Sequence, residues 1–172
     1  MSALANALAL DTAQDLPAAA REYERAVRDV GATLETYLNL AVLYFVLVDP
    51  GEASTRGLSA DFVNAAWRRA TELLEEASDR FGSNSEIEFW KRYFRFVVVG
   101  DAFLPEECEE LAKSGGSLVP YFFLSSACDD NRYCEQTEVL REQVRARETA
   151  RQRYVYDMLQ KARGRSRQRS KS

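Results

Sequence analysis

The chain contains no histidine and only three cysteines in 172 residues. Without an imidazole there is no ready general base near neutral pH and no Ser-His-Asp constellation. Three cysteines alone do not supply the four paired ligands of a structural zinc site, so neither a metal nor another cofactor is expected. Cys128 and Cys134 are close enough in sequence to pair. The odd cysteine count, in a chain read as lacking a secretory signal, points instead to free thiols. The four prolines and eight glycines are few for turn-rich β structure. The one glycine pair, in "SGGS" at 114–117, lacks the preceding strand and the lysine of a phosphate-cradling loop. No apolar run approaches the roughly 18 residues of a membrane span. The opening "MSALANALAL" has no basic stretch ahead of its apolar residues. The chain is therefore expected to be cytoplasmic and non-enzymatic.

What is present favours helices. Hydrophobic residues make up 46% of the chain and charged residues 29%, the balance of a soluble globular protein. Ala, Leu, Glu and Arg, all good helix formers, recur throughout. The charge is uneven. Residues 1–140 carry 12 Lys and Arg against 24 Asp and Glu, and residues 141–172 carry 11 against 3. An acidic body thus ends in a basic stretch, and "GRSRQRSKS" at 164–172 is too polar to pack and is expected to be disordered.

The apolar periodicity places helices in succession. Asp15 and Pro17 open one over residues 16–29. The stretch "TYLNLAVLYFVLVDPGE", residues 36–52, carries one polar side chain, Asn39, between Tyr37 and Val48. It reads as a packed helix that stops at the Asp49-Pro50-Gly51 turn signal. Residues 50–58 read as loop. Ser59 caps a helix running to Gly82, and a further helix runs from Ser85 to Gly100. Pro105 starts a short helix to about Lys113, and Pro120 starts a compact apolar one. From Asn131 to Arg163 one long helix is expected. Its broken apolar stripe argues against a coiled coil. The sum is about seven helices in an antiparallel all-α array, forming one domain over residues 1–163.

Two pairs of these helices share a pattern. Ala19, Tyr23 and Ala26 have the spacing of Ala70, Leu74 and Ala77. The helices that follow read Tyr37, Leu40, Ala41, Tyr44 and Trp90, Tyr93, Phe94, Val97. Small residues let the two helices of a hairpin approach, and large ones fill the gap to the next hairpin. This pattern resembles the tetratricopeptide repeat over residues 16–48 and, less closely, 62–100. Residues 49–61 are longer than that family's usual turn, and Phe94 stands where it has a small residue. The resemblance implies helical hairpins stacked as a right-handed superhelix, about two and a half repeats long, with a long C-terminal helix. A non-repeat helical bundle is the alternative.

The resemblance also implies a concave groove for a protein or peptide partner. In the second unit it would present Glu35, Leu38, Asn39, Val42 and Phe45. In the third it would present a basic flank of Lys91, Arg92 and Arg95. Asn39 and Arg92 fall where members of that family grip a terminal carboxylate. Leu4, Leu8 and Glu88 occupy other clamp positions and argue against such a grip here. The expected function is thus an adaptor or chaperone. The alternatives are an immunity protein or inhibitor that neutralises a toxin or enzyme through the acidic body, and a nucleic-acid-associated factor using its basic tail.

Overall fold

A computed structural model describes residues 2–82, 84–127 and 132–169, with side chains as far as Ala162 at the C-terminal end. Cys128, and with it the pairing to Cys134, lies outside the described residues. Among the described residues every element is helical and none is a strand: ten α-helices and one π-helical turn. Contacts divide the chain into two compact units, Met1–Ser83 with Glu148–Arg151 and Asn84–Arg147 with Gln152–Ser172.

The first unit holds α1 (Ala3–Thr12), α2 (Leu16–Ala26), α3 (Leu34–Val48), α4 (Pro50–Thr55) and α5 (Ala60–Phe81). Side-chain caps start all five at polar residues, beginning with Ser2, which accepts from the Ala5 amide at 3.2 Å. Asp15 accepts from the Ala18 amide at 3.3 Å, Thr33 from Thr36 at 3.4 Å, Asp49 from Gly51 at 2.9 Å and Ser59 from Phe62 at 3.2 Å. Each satisfies an amide that helix geometry leaves open. At the far end of α5, Gly82 leaves the helix with φ of 80°, a conformation open to glycine. The closest packing is of α3 on α5 and of α1 on α2. Ala19, Ala41, Ala70 and Ala77 are fully buried, so small side chains stand where the helices meet.

The second unit holds α6 (Ser85–Phe94), the π turn (Arg95–Val99), α7 (Pro105–Lys113), α8 (Pro120–Ala127), α9 (Cys134–Gln143) and most of α10 (Ala150–Arg169). Its core is aromatic. Phe89 and Tyr93 meet Phe122 edge-on at 5.3 and 5.0 Å, and Phe103 stacks on Phe123 at 4.7 Å. Such geometries suit the ring quadrupoles. The Tyr93 and Tyr154 hydroxyls, 2.7 Å apart, join α6 to α10.

Three expectations differ from the structure. Residues 50–55 form α4 rather than loop, because Asp49 caps the chain as it leaves α3. Ala3–Thr12 forms an additional helix, started by Ser2. The long helix expected from Asn131 to Arg163 is instead two. It breaks after Gln143, where Arg147 takes a φ of 57°, and resumes at Ala150 to run as far as Arg169.

Candidate interaction surfaces

The groove expected on α3 is not open. Leu38, Asn39, Val42 and Phe45 are all buried, at 5% exposure or less. The physical reason is that α3 is apolar on every side, and a helix of that kind is covered all round. Asn39 is the exception in chemistry, and its side-chain oxygen is buried without a hydrogen-bond partner. Of the five groove positions expected on α3, only Glu35, in its first turn, is exposed.

Glu35 is nonetheless engaged by the chain itself. It pairs with Arg151, in the first turn of α10. Two residues of α1 hold the same short segment. Asp11, fully buried, accepts from the Ala150 amide at 2.8 Å and from the Tyr23 hydroxyl at 3.2 Å. The Thr12 hydroxyl donates to the Glu148 carbonyl at 3.1 Å. The Asp11 carboxylate lies at the positive end of the α10 dipole, where a negative charge is favoured. Burial, and then the charge of Asp11, push the Tyr23 phenol well above its ordinary pKa. Asp11, Thr12 and Glu35 are thus all engaged by residues 148–151.

A second polar cluster ties three helices together beside an open cleft of about 680 Å³. Arg69 of α5 reaches Glu24 of α2 through Nε at 2.8 Å and Nη2 at 3.1 Å, and Glu76 through Nη1 at 2.6 Å. The Tyr44 hydroxyl of α3 donates to Glu24 at 3.2 Å. Burial works against the Arg69 charge, but the hydrogen bonds and charges of Glu24 and Glu76 outweigh it and raise its pKa. Burial and the Glu24 charge raise that of Tyr44. The guanidinium is fully committed to carboxylates, so this cluster works as a brace rather than as a reactive centre.

The basic flank lies on the second unit, and each of its cations has a carboxylate beside it. Lys91 pairs with Glu88 at 3.4 Å, Arg92 with Glu107 at 3.4 Å and Arg95 with Asp101 at 2.6 Å. The flank is therefore a charge-matched surface rather than a basic one.

Beside it stands a feature the periodicity did not reveal. Trp90, Tyr93 and Phe94 are buried as their spacing requires, but Val97 is 47% exposed. The π turn is the cause. Gly100 donates its amide to the Arg95 carbonyl, five residues back, at 3.0 Å. That extra residue in the turn rotates everything after it off the buried face. Phe96, Val97, Val98 and Val99 are all exposed, and so is Leu104. Phe96 keeps ring contacts with Tyr93 and Phe123, while the exposed sides of these consecutive residues form an apolar knuckle. Gly100, with φ of 83° and ψ of 18°, closes it in the left-handed region. The sequence signal is "FVVVG", three β-branched residues against a glycine, which by itself marks only the end of a helix.

Among the described residues no group of three or more Cys, Asp or Glu side chains is placed to hold a metal ion. None of the described helices is long and apolar enough to cross a membrane. No protein-family model matches the sequence, and no curated protein or solved structure is significantly similar to it.

Proposed function

We propose that this protein is a non-enzymatic protein-interaction module, an adaptor or chaperone built on helical repeats of the tetratricopeptide type, and that it docks its partner on the knuckle at Phe96–Val99. The observation that carries this is the exposure of four consecutive large apolar residues, Phe96 to Val99. Scattered surface hydrophobics need no explanation, whereas a clustered set marks an interaction site. The π turn adds to this, since such turns are frequent at functional positions.

Support for the repeat architecture comes from the first unit. Its closest helix pairs, α1 with α2 and α3 with α5, are the pairs that the repeat phase makes into hairpins. The small and aromatic positions of the pattern, Ala19, Tyr23, Ala26, Ala70, Leu74 and Ala77, are all buried. In this reading Glu35 of the concave face, with Asp11 and Thr12 of α1, serves the chain's own residues 148–151, and partner binding moves to the second unit.

The test compares partners captured by the full chain and by Val98→Asp, identified by mass spectrometry and then rebuilt as a purified pair. The expected result is a direct partner that the wild type holds and the variant releases. Partners retained equally by both would remove the knuckle from the interface.

A further inference from the structure

The geometry points to a binding site for an acidic peptide in the open cleft of the first unit. The peptide sets single carboxylates against Arg28 and Arg68 and rests an apolar side chain on Phe62 and Ala65. This site is separate from the knuckle and does not depend on its reading.

The cleft follows from the helix faces. Helices α2 and α5 both pack on α3. Phe62, Ala65, Ala66, Arg69 and Glu72 all line the cleft. They recur three and four residues apart and so share one face of α5. Glu24 of α2, Arg28 in the turn that follows it and Tyr44 of α3 line it from the other side. Two adjacent alanines, Ala66 buried and Ala65 exposed, keep the α5 face low. About 680 Å³ stays open above them, within the roughly 300–1,000 Å³ of ligand-holding clefts.

The charges name the ligand. Five charged side chains line the cleft, and three of them engage one another: Arg69 meets Glu24 at 2.8 Å and Glu72 at 3.7 Å. The other two are Arg28 and Arg68. Both are exposed, and neither guanidinium has an ion pair or hydrogen bond among the described residues. The cleft thus holds two uncompensated cations in a chain of net charge −4. Its pull on an anion is local, because the field of the whole chain points the other way. Glu24 and Glu72 in the same walls repel a compact dianion or a phosphate backbone. Carboxylates carried singly along a peptide reach the two arginines with less of that repulsion. Phe62, half-buried, and Ala65 offer apolar surface beside the cations, and covering it adds a favourable term that salt does not screen. Acidic and apolar side chains in alternation match both features, and charge complementarity of this kind sets specificity.

Fluorescence anisotropy on the full chain tests the site with pools of fluorescein-labelled peptides. In one pool Asp and Glu alternate with Leu, Ile and Phe in random order; in the second, Asn and Gln replace the acids. The acidic pool should bind, and the neutral pool should bind about tenfold more weakly or worse. Arg28→Gln and Arg68→Gln should each weaken the acidic pool about threefold, and both together about tenfold, as expected for one and two exposed ion pairs. Ala65→Phe keeps every charge but fills the cleft, and should weaken binding about tenfold or more. Arg21 is an exposed cation of α2 that does not line the cleft, so Arg21→Gln should leave binding within about twofold. Thermal melts of each variant confirm that the fold is kept. Equal binding of the two pools overturns the inference. So does a loss in Arg21→Gln as large as in Arg28→Gln, because the attraction is then general. Unchanged binding in Ala65→Phe overturns it as well, since the peptide then lies outside the cleft. If a phosphoserine pool or a labelled DNA oligonucleotide binds and the acidic pool does not, the arginines serve phosphate and the inference fails. None of these outcomes bears on the knuckle, which Val98→Asp tests by itself.

Discussion

Helix α3 and the π turn are both apolar runs, yet α3 buries ten of its fifteen residues and the turn buries none of its five. Apolar content does not separate them; Leu and Val dominate α3, and Val and Phe the turn. The difference lies in what surrounds each run. The long α3 packs against α2, α4 and α5, so neighbours are available on several sides. The turn follows α6 after one residue too many per turn and stops against a left-handed glycine. Its side chains leave the face that Trp90, Tyr93 and Phe94 share. A hydrophobic run is core when the helix period carries it along a packed face. It becomes surface where that period is broken.

The comparison is most strongly tested by Leu40→Ala on fully buried α3. It should cost about 2–5 kcal/mol in chemical denaturation, and a cost under about 1 kcal/mol would mean that α3 is not core. Alkaline pH should strike the same unit next. The buried phenols of Tyr23 and Tyr44 have raised pKa values in the fold. The unfolded chain therefore loses these protons first, from about pH 10. Stability should be unaffected by them below that pH and should fall as pH rises above it. Ultraviolet titration should show these two phenols, with the buried Tyr93 of the second unit, ionising at higher pH than the exposed tyrosines. Asp11→Ala leaves the Tyr23 hydroxyl and the Ala150 amide without their acceptor, and should cost about 1–3 kcal/mol, read as a lowered melting temperature. The smallest effect is expected on the exposed run. Val98→Asp should change stability by no more than about 0.5 kcal/mol. A loss above about 2 kcal/mol would mean that something in the chain covers the knuckle, and the contrast with α3 would collapse.

How far the sequence could be read depended on whether a signal had one physical meaning. Ser59 and Gly82 bracket α5, and Pro105 and Lys113 bracket α7, where the residues placed them. Caps and prolines act locally, so their signals survive without tertiary knowledge. Asp49-Pro50-Gly51 was ambiguous, since an Asp before Pro starts a turn and a helix with the same hydrogen bonds, and here it starts α4. The break between α9 and α10 has no glycine or proline to announce it; Arg147 takes the left-handed conformation instead. The candidate groove suffered from a different limit. Spacing assigns Leu38, Val42 and Phe45 to a face of α3 but not to the presence or absence of cover over that face. The charged residues were legible as a cluster at Lys91, Arg92 and Arg95. Their carboxylate partners, up to fifteen residues away in Glu107, were not.

The hydrogen bond between Asp11 and the Ala150 amide joins residues 139 apart in sequence, and this has a consequence for synthesis. A chain emerging from its N-terminus completes α1, α2 and α3 long before residue 150 exists. During that interval the Asp11 carboxylate has no amide from α10, and Glu35 has no arginine from it. Closing so distant a contact is slow compared with local helix formation. The N-terminal helices should therefore stand preassembled, with a vacant acidic seat, until residues 148–151 arrive to fill it.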